Sequence, residues 1–232
     1  MKINRRQAIS QLGAASVAAS SLLEAQTPAK RQYYDLRYYQ LRSGFSKRML
    51  PAKPAGAGPT GVFNSVIGDN TPYLIILQTY SSFAEAEHSP EPDLDYVRYE
   101  RALLRAFAGM PELKNPPASD SGHIFELRTY ESANAATLKT KIEMFHSGEI
   151  GIFQRLGMNP VFFGEALTGT KLPHLTYMLA YDDLAARDRV WKAFGADPEW
   201  QKLRTDPRFT NPEIVSNISN VILRPAAISD IR

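Results

Sequence analysis

Two stretches of this chain are close copies of each other, 91 residues apart: Tyr34-Asp35-Leu36-Arg37-Tyr38-Tyr39 and Phe125-Glu126-Leu127-Arg128-Thr129-Tyr130. Further matches follow in the same order. Val62-Phe63 answers Val161-Phe162 at a spacing of 99, Thr79-Tyr80 answers Ala180-Tyr181 at 101, and Leu103-Leu104-Arg105 answers Ile222-Leu223-Arg224 at 119. An ordered series of matches constrains the fold more than any composition value, because it requires one structural unit to be built twice. The spacing grows from 91 to 119, so the first copy is 28 residues shorter than the second.

The second copy gives the pattern of the unit. Period-2 alternation predicts strands over 124–130, 160–167, 174–181 and 214–223, and helical spacing predicts helices over 135–156 and 184–203. Leu138, Ile142, Phe145, Ile152, Phe153 and Leu156 share one stripe of the first helix, the face that should lie on a sheet. Asp197-Pro198-Glu199 breaks and restarts the second helix, with Asp as N-cap and Pro in the first turn. Strand, helix, two strands, helix, strand is the ferredoxin-like order. Two such sheets in one chain would bury their helix-free faces against each other, so the expected fold class is α+β, with tandem ferredoxin-like repeats closing an intrachain dimeric α+β barrel. The boundaries read as residues 31–110 for the first repeat, 111–122 for a proline-rich linker and 123–225 for the second repeat.

The first repeat departs from the pattern. Residues 51–59, Pro-Ala-Lys-Pro-Ala-Gly-Ala-Gly-Pro, cannot continue a helix, which leaves helical fragments around Lys47 and Ala84. Its strands at 62–67 and 73–80 are apolar on both faces, with Leu74 and Ile76 alternating with Tyr73, Ile75 and Leu77. Both faces then need cover. An outer face without its helices predicts self-association of this chain through Ile76 and its neighbours.

The strand openings look like the Y-E-L-R-T-Y signature of NIPSNAP proteins. Phe145-His146 with Gly157 is similar to that family's first helix, and Arg187, Trp191, Phe194 and Asp197-Pro198-Glu199-Trp200 resemble its second. The resemblance spans roughly Tyr33 to Pro225 and is stronger in the second half. It implies the dimeric α+β barrel fold and brings no settled activity or catalytic residues with it.

Residues 1–25 read differently from the rest. A basic opening, Asn4-Arg5-Arg6-Gln7, precedes an apolar run of small residues from Ala8 to Leu23. This resembles a twin-arginine export signal and implies a periplasmic or extracellular protein. Without that segment the charge balance is 24 basic to 23 acidic residues, a net of +1, which offers no electrostatic footprint for nucleic acid. The chain has no cysteine, so neither a disulfide nor a cysteine-linked lipid anchor is available. No later segment has the length and apolarity of a membrane helix.

Three groups of residues invite a functional reading. Alternation puts Asp35, Arg37 and Tyr39 on one face of the first strand, and Glu126, Arg128 and Tyr130 on the matching face of its copy. The opposite rows are apolar enough to pack on helices, which would point the acids and arginines into the barrel. They then form either a polar pocket orienting a small ligand or buried inter-sheet ion pairs. Glu149 falls near the middle of the apolar helix stripe, with His146 one turn earlier. It is either a general acid or base oriented by histidine, a salt-bridge partner, or an escapee at Gly148 and Gly151. As metal ligands the pair lacks companions, so no metal is expected. Trp191, Phe194 and Trp200 read as core.

No P-loop, dinucleotide fingerprint, nucleophile elbow or cysteine nucleophile occurs, so no cofactor is implied. Two functions remain open: a noncatalytic module holding a small molecule or a protein, and a cofactor-free oxygenase- or isomerase-like enzyme using Glu149, His146 and Arg128 on a small aromatic substrate.

Overall fold

The computed structural model describes residues 30–42, 58–68, 70–89, 91, 94–119 and 122–232. The segment 1–25 expected to be an export signal and the expected fragment around Lys47 lie outside these residues. In chain order the elements are β1 (Tyr33–Leu41), β2 (Thr60–Ile67), β3 (Tyr73–Tyr80), α1 (Phe83–Glu87), β4 (Tyr96–Ala106), β5 (Ile124–Glu131), α2 (Ala135–Met144), a π-helical turn (Phe145–Glu149), α3 (Ile150–Arg155), β6 (Pro160–Ala166), β7 (His174–Tyr181), α4 (Leu184–Ala196), α5 (Pro198–Arg204), a 3-10 turn (Pro212–Ile214) and β8 (Asn217–Pro225).

The eight strands close into a barrel in the order β1-β3-β2-β8-β5-β7-β6-β4, every neighbouring pair antiparallel. Each half contributes four consecutive strands in the same arrangement, 4-1-3-2 in the first and 8-5-7-6 in the second. The halves meet where β2 pairs with β8 and β4 with β6. Closure removes the open sheet edges that two separate sheets would present.

The barrel interior is packed at one end. Tyr34, Phe63, Phe125, Phe162, Leu223 and Ile231 are all fully buried there, with the Tyr34 and Phe162 rings 4.9 Å apart and those of Phe63 and Phe125 5.0 Å apart. The chain's last residues seal this end. Asp230 exchanges hydrogen bonds with Thr60, giving its N–H to the Thr60 carbonyl and accepting the Thr60 N–H, both at 2.9 Å, while the Ser229 hydroxyl accepts from Val62 N at 3.0 Å. Gly61 is required there, since a Cβ would lie 2.4 Å from the Phe63 ring and 3.0 Å from Ile231.

A second core lies between the outer face of the second-half sheet and its helices, dominated by Phe145, Phe153, Phe163, Tyr177 and Phe194 with Trp191 and Trp200 alongside. Local chemistry explains the helix starts. Asn134 and Thr137 form a reciprocal capping box on α2. Asp197 accepts the N–H groups of Glu199 and Trp200 at the start of α5, as its sequence context predicts.

Three expectations need correction. The helix expected over 135–156 is not continuous: it passes through a π-helical turn whose Gly148 has non-helical torsions. The last strand begins at Asn217, after a turn started by Pro212. The outer face of β3 is not bare either, since Ile76 is only 5% exposed and β3 is buried along its whole length. Among the described residues, Ala226, Leu94, Tyr96 and Tyr99 pack with Leu74 and Ile76. Among the described residues β3 therefore does not present the bare outer face through which self-association was expected. No helix among the described residues is long and apolar enough to cross a membrane.

Candidate functional site

The two acid-arginine-tyrosine rows face the opposite way from the sequence expectation. Tyr34, Leu36 and Tyr38 of β1, with Phe125, Leu127 and Thr129 of β5, point into the barrel. Asp35, Arg37 and Tyr39, like Glu126, Arg128 and Tyr130, face outward. Alternation separates the two rows of a strand but does not say which meets the helices. Here the outward face is the one on which Arg187 and Trp191 reach Glu126 and on which Arg37 and Arg101 reach Asp35.

Glu126, with no exposed area, shows this. Its carboxylate accepts from Arg128 at 2.8 Å, Arg187 at 2.6 and 3.1 Å, the Trp191 indole at 2.8 Å, Asn220 at 3.0 Å and the Tyr181 hydroxyl at 3.4 Å. Arg128 also lies over the Trp191 ring at 4.6 Å and donates to the Tyr130 hydroxyl at 3.3 Å, which accepts from Tyr177 at 2.8 Å. Burial would raise the Glu126 carboxyl, but the Arg187 hydrogen bonds, the Arg128 charge and the indole N–H outweigh it and hold it below the usual carboxylate value. A carboxylate so fully engaged has no lone pair to offer a substrate.

Asp35 is likewise buried and accepts from Arg37 at 2.6 and 2.9 Å and from Arg101 at 2.9 and 3.0 Å. Arg37 continues to the Ser89 hydroxyl at 2.5 Å, and Tyr80 donates to the same oxygen. Tyr39 stacks on Tyr99 at 5.0 Å, and burial pushes its hydroxyl up to about 12. Both clusters are buried ion-pair networks, but they lie on the outer face of the barrel and not between the two sheets as the ion-pair reading expected.

Glu149 is buried, 2% exposed, as its place in the stripe predicts. Its partner is Lys141, 3% exposed, whose ammonium lies 2.7 Å from the carboxylate and 4.5 Å from the Phe145 ring centre. His146 points elsewhere, accepting the Gly109 N–H at 3.3 Å on the molecule's surface. Burial, aided by the Arg31 charge, lowers its pKa. The structure does not bring His146 and Glu149 together, and neither reaches a cavity with Arg128. Among the described residues no group of three or more metal-ligating side chains is clustered.

The cavity lies at the other end of the barrel from Ile231 and has a volume of about 360 Å³. Leu36, Ala102, Leu127 and Val221 form its apolar floor. A belt of hydroxyls stands above them: Tyr38, Tyr73, Thr129, Thr176 and Ser219. Thr129 and Thr176 share a hydrogen bond of 3.0 Å, and burial raises the Tyr38 phenol while its bond to Thr129 opposes that shift. The rim carries Arg98, Glu100, Lys171 and His174. Two hairpin loops shape it, with Asn70 and Lys171 in the left-handed region at φ 58° and 60°.

Sequence reasoning missed this site. The available signal was the change from apolar to hydroxyl-bearing residues along one row, Leu36 to Tyr38 and Leu127 to Thr129, which a face used only for packing would not need.

Fold and cavity together define an α+β barrel closed and packed at one end and hollow at the other. Residues 125–230, in the second half of the chain, match the NIPSNAP family model. A NIPSNAP family protein of unknown function from Agrobacterium tumefaciens aligns at 20% identity over 49% of this chain and 97% of its own, with a TM-score of 0.43. Two solved structures cover both halves. An anthrone oxidase-like protein aligns at 8% identity over 86% of this chain and 93% of its own, with a TM-score of 0.54. A monooxygenase-like protein from Lactobacillus acidophilus aligns at 11% identity over 84% and 94%, with a TM-score of 0.51. At such identities the likeness concerns the fold alone. No curated protein matches the chain.

Proposed function

We propose that this protein is a small-molecule-binding barrel built from two copies of one ferredoxin-like unit, and that the open end holds a ligand with an apolar body and a polar head. The observation that carries the reading is the cavity itself: about 360 Å³, apolar at its floor, hydroxylated at its belt and charged at its rim. That volume and gradient match what small-molecule sites generally offer. The copied unit rests on the shared strand arrangement of the halves and on the ordered sequence matches.

The barrel fold is compatible with oxygenase or isomerase chemistry, but a fold does not transmit a reaction. An enzyme using His146, Glu149 and Arg128 together lacks support, because those residues share no cavity.

Naphthalene, an apolar probe without a head group, tests the site. In methyl-resolved NMR it should shift the resonances of Leu36, Leu127 and Val221, and Ser219→Trp, which fills the mouth from β8, should abolish those shifts. Unshifted cavity methyls at saturating probe would refute a binding barrel.

A further inference from the structure

We propose that His174 is the polar anchor of the cavity and that it selects a neutral ligand bearing a hydroxyl donor, a phenol-type molecule, over the corresponding carboxylate. The proposal rests on reading the cavity as a binding site and names the chemistry of what enters it.

The argument starts with alternation on β7. Thr176 faces the cavity, and Met178 and Ala180 continue that row into the packed interior. His174 stands at the mouth end of the same row, opposite Glu131 of β5. The loop before it turns through Lys171 at positive φ, which brings the Lys171 carbonyl 3.3 Å from the ring's Nδ1. A carbonyl oxygen can only accept, so Nδ1 must carry the proton. A neutral imidazole has a single N–H. Nε2 is therefore left as an acceptor, and no described residue donates to it. An acceptor without a donor, on a side chain only 5% exposed, is the group a ligand is best placed to satisfy.

The neutral ring is also the favoured form. Burial lowers the His174 pKa, and the Lys171 ammonium adds to that effect, whereas the hydrogen bond to the Lys171 carbonyl and the Glu131 charge oppose it. The rest of the wall is largely self-satisfied, with Tyr38 bonded to Thr129 and Thr129 to Thr176. The three cations of the cavity lining that would attract a carboxylate already have partners, Arg101 being bonded to Asp35 at 2.9 and 3.0 Å. Lys171 lies 3.9 Å from Glu131, and Arg98 lies 3.6 Å from Glu100. A carboxylate at Nε2 would set lone pair against lone pair, while a phenol hydroxyl would donate to it and lay its ring on the apolar floor.

Three probes with one ring system separate the alternatives: 1-naphthol, 1-naphthoate and naphthalene, with binding to the full chain followed by calorimetry. At pH 7.5 1-naphthol should bind about tenfold tighter than naphthalene, the worth of one added hydrogen bond, and 1-naphthoate more weakly than 1-naphthol. In His174→Phe the affinity ratio of 1-naphthol to naphthalene should fall to about one, whatever the affinity for naphthalene itself. The advantage should also fade in the wild type as pH drops through the lowered histidine pKa, below about 6.5, because a protonated ring no longer accepts. A ¹⁵N shift of the His174 Nε2 resonance on adding 1-naphthol gives the same answer in the unmutated protein. Tighter binding of 1-naphthoate, an advantage that survives His174→Phe, or an unmoved Nε2 resonance each overturns the proposal. If naphthalene binds and naphthol gains nothing, the anchor falls and the cavity reading stands. If naphthalene does not bind, both fall.

Discussion

The two halves neutralise a buried carboxylate with different parts. In the second half Glu126 takes its second guanidinium from a helix, since Arg187 sits on α4 with Trp191 one turn later. In the first half the one helix among the described residues between β3 and β4 is the five-residue α1, and Asp35 takes its second guanidinium from the neighbouring strand, as Arg101. The strand register makes the exchange explicit. Arg101 lies opposite Arg37 on β4, and Asn220 occupies the matching place opposite Arg128 on β8. Where a helix supplies the arginine, the strand position needs only an amide. A buried carboxylate thus fixes how many donors must be present, while the element that delivers them is free to change.

The largest effect should come from removing the acid. Glu126→Ala strands the guanidinium groups of Arg128 and Arg187 and the Trp191 N–H beneath α4, and should cost about 3–5 kcal/mol in urea unfolding. Asp35→Ala should cost less, because it strands two guanidinium groups, whereas Glu126→Ala also strands the Trp191 N–H and the Asn220 amide. A larger loss for Asp35→Ala would reverse the comparison. Next in size is loss of the helix-borne arginine: Arg187→Ala should cost about 1.5–3 kcal/mol, the value of hydrogen bonds to a charged group. If a strand arginine can replace a helix arginine, adding Asn220→Arg to Arg187→Ala should recover at least half of that loss. A double variant no more stable than Arg187→Ala would show that the first half's solution does not transfer.

The same contrast explains what was legible beforehand. Strand and helix order in the second half follows from periodicity, and Asp197 announces its own helix start. The barrel follows once two sheets share a chain. The direction of the β1 and β5 rows was not legible, because Asp35 and Glu126 look equally misplaced on either side until the distant Arg101 and Arg187 are seen to reach them. Lys141 was missed as the partner of Glu149 for a related reason. The two are eight residues apart, and the π-helical turn between them alters the helical phase on which the stripe was counted. The cavity escaped notice because its lining is spread over strands from both halves, with Tyr38, Thr129 and His174 meeting only on closure.

The smallest predicted effect is on acid stability, and it follows from the sign of the Glu126 shift. The folded carboxyl lies below its ordinary value because Arg187, Arg128 and Trp191 outweigh the opposing effect of burial. A group with a depressed folded pKa contributes stability above its unfolded value, about 4.3 for glutamate. That contribution is lost as pH falls from there through the lowered folded value, where the unfolded chain binds the extra proton first. Because burial cancels part of the attraction, the acid limb should be modest beside the cost of deleting the side chain. Glu126→Gln keeps the shape and removes the proton, so stability measured between pH 5 and 2 should fall less steeply in this variant than in the wild type. Equal slopes would mean that Glu126 does not set the acid limit of the second half.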